Sequence, residues 1–225
     1  MKTMTTARVC ATLSAAALLL TASNSMAEEH PRPQAKAQET CLSTVATIVG
    51  TEKSEAIEGT AGHDVIVGLG GDDTIDGLGG DDYICGDYGD RTNGRKPGHD
   101  ILFGGSGNDY VLGDEKNDTI LDDDGYNFLL GGDGDDAIHG GGLIDGVWGE
   151  AGNDQLYGYE GNDEMDGGTG KDVLRGGADD DVLNGNEGND KLNGGNGSNT
   201  NDGGQGRDRC VDPTTAQGAR NCEIP

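Results

Sequence analysis

Residues 158–175 read GYEGNDEMD GGTGKDVLR, two nine-residue units that align position for position. In both, Gly stands at positions 1 and 4, Asp at 6 and an aliphatic side chain at 8. The same frame fits GLGGDDTID (68–76) and GGSGNDYVL (104–112). Followed outward, position 8 reads Ile48, Ile57, Ile66, Ile75, Ile84, Asn93, Leu102, Val111, Ile120, Leu129, Ile138, Val147, Leu156, Met165, Leu174, Leu183, Leu192, Asn201 and Cys210. One phase holds over residues 41–211, nineteen units without an insertion or deletion in the sequence frame. Chance enrichment in Gly and Asp does not keep phase for that distance.

The residue types predict the geometry. Gly at positions 1 and 4 permits positive φ and tight turns. The closing x-aliphatic-x triplet is a short strand with one inward side chain. One apolar residue in nine builds a core only if the chain coils and stacks like strands, so that each coil covers its neighbours. Two units per coil give two parallel sheets around a thin aliphatic core, with the Gly and Asp residues in the turns. Stacking then brings position-6 Asp residues of successive coils together, and such a column repels itself unless a cation lies between. Carboxylate and carbonyl oxygens in a Gly-rich turn suit Ca²⁺, while softer metals prefer other ligands and Mg²⁺ demands a tighter octahedron.

These units resemble the RTX, or hemolysin-type, calcium-binding repeat, Gly-Gly-x-Gly-x-Asp-x-aliphatic-x. The resemblance covers residues 41–211. It implies an all-β fold, a right-handed parallel β-roll or β-solenoid of nine-residue repeats, two per coil. It also implies multiple Ca²⁺ ions held between turns two units apart. The stretch GTAGHDVIVGLGGDDTIDGLGGDDYICG further resembles secreted bacterial proteins built almost wholly of this repeat.

If units alternate strictly between sides, position 6 separates into two columns. One is Ala46, Asp64, Asp82, Asp100, Asp118, Asp136, Asp154, Asp172, Asp190 and Asp208. The other is Glu55, Asp73, Arg91, Asp109, Asn127, Asp145, Asp163, Asp181 and Asn199. The fourteen Asp residues are the expected metal ligands, and the partition predicts a calcium-rich and a calcium-poor side. Two readings of Arg91 stand side by side. Its guanidinium replaces an ion between Asp73 and Asp109, or residues 86–98 bulge from the roll, as Asn93 at a core position suggests. Asn201 predicts a frayed penultimate unit, and Leu143 and Asp179 at Gly positions put two turns in question.

Composition narrows the function. The chain has 225 residues, 43 Gly, 42 acidic and 15 basic residues, a formal charge of −27 and 32% apolar residues. The apolar share is well below the roughly 45–50% of ordinary soluble domains. So acidic a chain is unsuited to nucleic acid or anionic membranes. Residues 1–27 read as a signal peptide, with Lys2 and Arg8 before an apolar stretch and Ser25-Met26-Ala27 at the cleavage site. Residues 28–40 read as a mobile leader and 212–225 as a C-terminal cap. Four cysteines remain after cleavage, and two disulfides with three connectivities follow in an oxidising compartment. A solenoid needs covered ends, which favours Cys41–Cys85 and Cys210–Cys222. The expected protein is a secreted, extracellular, monomeric calcium binder with no enzymatic activity. A calcium-dependent adhesin with a matrix, glycan or cell-surface partner is the alternative. A toxin or hydrolase finds no room beside the repeats, and an ice-binding array of Thr is missing. The scattered His30, His63, His99 and His139 read as solvated. Trp148, Tyr157 and Tyr159 read as a surface cluster, with a sugar-stacking patch as the other reading.

Overall fold

Among the described residues, each x-aliphatic-x triplet from Ile48–Val49 to Arg209–Val211 forms a strand, and the polar triplet Thr200–Asp202 does so too. The structure, a computed structural model, describes residues 40–87, 96–211 and 219–223. The expected signal peptide and nearly all of the expected leader therefore lie outside the described residues, as do Arg91 and Asn93. Successive strands go alternately to two sheets. One has nine strands and runs from Ala56–Glu58 to Arg209–Val211. The other has thirteen, its main column running from Ile48–Val49 to Ala219–Arg220. Every pairing within both sheets is parallel, and the register places aliphatic on aliphatic: Ile57 on Ile75, Leu129 on Val147, Leu156 on Leu174. The fold is the parallel β-roll expected.

Alternation of the strands points every second side chain inward. Ile66, Ile75, Ile84, Leu102, Val111, Ile120, Leu129 and their successors to Leu183 are fully buried in one continuous column. Asn201 is buried in the same column, and Thr200–Asp202 pairs in register with Val182–Asn184 and Ala219–Arg220. The expected fraying is absent; the main-chain ladder holds the unit although its core side chain is polar.

Register is 18 residues throughout the regular stack, but Ile75 pairs with Leu102 and Ile84 with Val111, steps of 27. One unit between Cys85 and Gly98 is thus skipped by both sheets. Arg91 and Asn93 lie outside the described residues, so the two readings of that segment stay open. The skip corrects the predicted columns. The sequence keeps phase, yet loss of one half-coil exchanges the sides of everything downstream. Asp87 Oδ2 accepts the Gly98 N–H at 2.7 Å and ties the two ends of the excursion together.

The turns correct the roles of glycine. Positive φ occurs at positions 2 and 4, as at Gly105 (102°) and Gly107 (141°), not at position 1. Position 1 needs Gly for space: a methyl on Gly185 would lie 2.6 Å from Asp190 Oδ2 and 2.7 Å from the Gly203 carbonyl oxygen. Leu143 and Asp179 keep the turn by adopting φ of 71° and 80°.

Both ends are closed as expected. Cys41 and Cys85 are disulfide-bonded, and Cys41 lies in an antiparallel hairpin of Thr40–Cys41 with Thr44–Val45. Cys41 packs with Val65, Val67 and Leu69 in a second apolar cluster. Val65 and Val67 occupy outward positions 7 and 9, yet they are buried there. Cys210 and Cys222 are bonded, and Ala219 and Cys222 pack against the end of the main column.

Candidate metal centre

Every predicted ligand is buried, from Asp64 at 6% exposure to Asp82, Asp109 and Asp154 at 0%. The main chain fixes all but Asp64 the same way; Asp64 Oδ2 accepts instead from the Thr60 N–H and hydroxyl. The position-6 N–H donates to Oδ1 of the position-6 side chain in the next coil, as Asp118 does to Asp136 (2.7 Å), Asp136 to Asp154 (2.8 Å) and Asp154 to Asp172 (2.9 Å). The turn brings these groups together because each strand starts one residue later and the register is fixed by the core.

The hydrogen bonds define the true columns. One is Glu55, Asp73, Asp100, Asp118, Asp136, Asp154, Asp172, Asp190 and Asp208. The other is Asp64, Asp82, Asp109, Asn127, Asp145, Asp163, Asp181 and Asn199. Asp64 and Asp82 therefore leave the unbroken column, and Asp73 joins it. Two unequal sides remain: one column is Asp from Asp73 to its end, and the other is interrupted at Asn127 and Asn199.

Oδ2 of Asp73, Asp82, Asp100, Asp109, Asp118, Asp136, Asp145, Asp154, Asp163, Asp172, Asp181, Asp190 and Asp208 is buried without a hydrogen-bond partner. A buried acceptor left unpaired is costly, and a row of them in identical surroundings calls for a common partner. In most coils, as at Gly77, Gly149, Gly158, Gly176 and Gly185, this Oδ2 faces the slot beside position 1 of its own unit, where the position-1 carbonyl of the next coil also points, whereas Asp100 Oδ2 lies beside Gly86. A methyl on Gly77 would sit 2.7 Å from Asp82 Oδ2 and 2.5 Å from the Gly104 oxygen. A slot lined by a carboxylate and carbonyl oxygens, with no sulfur or imidazole, fits a hard cation. No group of three or more His, Cys, Asp or Glu side chains is placed to share an ion among the described residues. Main-chain oxygens would complete the shell.

Burial sets the electrostatics. Desolvation, opposed by the main-chain hydrogen bond, raises the carboxyls of Asp73, Asp145, Asp154 and Asp181 to about 7. It raises Asp100, Asp109, Asp136, Asp163, Asp172 and Asp190 to about 6, and Asp118 to about 9. Burial also pushes Asp82 upward. A cation beside these groups would reverse the preference and favour the carboxylates.

Three features are missing from the sequence reading. Asp87 and Asp122 are buried carboxylates off position 6, at 8% and 7% exposure. Burial first, and neighbouring carboxylates next, raise both to about 8. An Asp at a Gly position is the only sequence signal, and it reads as a fault in the repeat. Position 5 also forms an exposed ladder of opposite sense: Asn153 N–H donates to Asp135 (2.8 Å) and Asp180 N–H to Asn162 (2.8 Å). Finally, rings stack along the larger sheet, with centroids 5.1 Å apart for Tyr83–Tyr110, 5.5 Å for Tyr110–Phe128 and 4.3 Å for Phe128–Trp148. Tyr157 and Tyr159 stack with His139 elsewhere; Trp148 pairs within the larger sheet and Tyr157 within the smaller. They are not one patch with Trp148. His63 and His99 are exposed, each with Nδ1 against a main-chain oxygen of the adjacent coil.

A parallel roll with columns of buried carboxylates beside glycine turns is a cation-binding repeat protein. Residues 49–92, 97–120, 112–147, 144–174, 166–200 and 175–210 match the RTX calcium-binding nonapeptide repeat, and the chain belongs to that family. No curated relative matches the chain. The protein is a calcium-binding protein, and calcium is its ion partner.

Proposed function

We propose that the protein is secreted, binds several Ca²⁺ ions through the position-6 Asp residues, and couples its folding to extracellular calcium. The observation that carries this reading is the row of buried Oδ2 atoms without partners. Calcium would satisfy them and neutralise columns that otherwise repel, so that binding free energy becomes folding free energy. In a calcium-poor compartment the chain would remain unfolded, and on export it would fold. The two disulfides support an oxidising destination. Commitment of Oδ1 to the main chain supports a binding role for these carboxylates, with no catalysis. Far-UV circular dichroism of the exported chain during a calcium titration after EGTA treatment tests the coupling. A cooperative gain of β signal with calcium and none with magnesium is expected. Full β signal in EGTA would overturn it.

The aromatic row favours a second reading, a calcium-dependent adhesin. Tyr110 and Phe128 remain 41% and 38% exposed although stacked, and such faces suit sugar rings. Glycan binding in calcium but not in EDTA, lost in Phe128→Ala, would support it.

A further inference from the structure

Asp122 occupies position 1 of the unit DDDGYNFLL (122–130), where the coils on either side have Gly104 and Gly140. The same unit carries Asn127 at position 6, where its neighbours in the column have Asp109 and Asp145. The unit thus lacks the usual carboxylate and has another five residues earlier. The fold brings the two departures to one place. Asp122 is buried at 7% exposure, its Oδ1 accepts the Asp123 N–H at 2.8 Å, and its Oδ2 has no partner. That Oδ2 points into the slot beside Gly104: a methyl there would run into it and would lie 3.0 Å from Asp109 Oδ2. In regular coils the same slot is faced by one Asp Oδ2 and a Gly carbonyl oxygen. The charges acting on Asp122 include both Asp109 and Asp145, the two Asp residues that flank Asn127.

We infer that Asp122 and Asp109 together hold a divalent cation beside Gly104, a site in which a position-1 carboxylate replaces the one lost at Asn127. This rests on the calcium reading above and extends it to a ligand outside the repeat pattern. The two buried Oδ2 atoms supply two negative charges at one slot, where regular coils present one Asp Oδ2 and a Gly carbonyl oxygen, and main-chain oxygens fill the rest of the shell. The interrupted column then keeps its ion across Asn127.

The test is ion counting by equilibrium dialysis with ⁴⁵Ca on the full chain, with circular dichroism of each variant at saturating calcium. Asp122→Gly restores the residue found in the neighbouring coils, so it keeps the turn. It is expected to lose one ion, or to bind it about tenfold or more weakly, since affinity follows the charge of the ligand set. Adding Asn127→Asp to Asp122→Gly returns a carboxylate at position 6 and is expected to restore the ion. An unchanged count and affinity in Asp122→Gly would overturn the site. So would a loss that Asn127→Asp fails to repair while the β signal is intact. A wild-type chain that binds no calcium would instead overturn the general reading, which separates the two failures.

Discussion

At the residue scale, the repeat assigns one job per position, and the exceptions are informative. Position 1 is Gly because a carboxylate and a carbonyl crowd it, whereas positions 2 and 4 need positive φ. Leu143 pays a conformational penalty at φ 71° with its side chain half exposed. Leu143→Gly is expected to raise stability by about 1 kcal/mol, the usual cost of a left-handed non-Gly residue, read as a higher urea midpoint in calcium. Asn201 is fully buried with both amide atoms unpaired. Asn201→Leu would remove that cost, about 1–3 kcal/mol, and continue the aliphatic column. A fall in midpoint would show that the amide meets a need the fold does not reveal. Position 8 and the fourteen buried position-6 Asp residues were legible from type and period alone. Asp122 was not, because a carboxylate at a Gly position looks like damage until the next coil is laid beside it.

At the element scale, the x-aliphatic-x strands and the paired ends were readable from sequence, but the sides were not. Side assignment depends on counting half-coils, and a segment of the same length as a repeat leaves the count in sequence unchanged while altering it in space. The aromatic row was hidden for the same reason, since Tyr83 meets Tyr110 only across the 27-residue step. The hairpin at Cys41 covers Val65 and Val67, outward residues that would otherwise face water. Replacing Cys41 and Cys85 by Ser is expected to cost about 2–4 kcal/mol. The loss belongs at one end, so hydrogen exchange should rise first in strands Ile48–Val49 and Val65–Val67. Uniform acceleration along the whole roll would mean that the clamp stabilises every coil equally.

At the scale of the whole molecule, charge governs the conditions under which the roll exists. Without calcium the folded state raises its buried Asp carboxyls from the ordinary 3.8 to about 6 or 7, and Asp118 to about 9. Folded molecules then bind more protons than unfolded ones. The stability of the calcium-free roll is therefore fully present below about pH 4 and is lost as pH rises through 6 to 7 and beyond. In EGTA, acidification from pH 8 to 5 is expected to increase the β signal. With calcium the sign reverses, because protons compete for the same oxygens, and the calcium needed for half-folding should rise as pH falls. A calcium midpoint that does not move with pH would place the ions away from these carboxylates. The 27-residue step carries a last consequence. The roll has a parity: eighteen residues added or removed leave each remaining unit on its face, while nine exchange the two faces beyond the change. The skipped unit is one such exchange. It splices Asp64 and Asp82 onto the column that contains Asn127, and Asp73 onto the column that is Asp to its end. Adding or removing a single repeat would thus redistribute charge between two faces without substituting any residue.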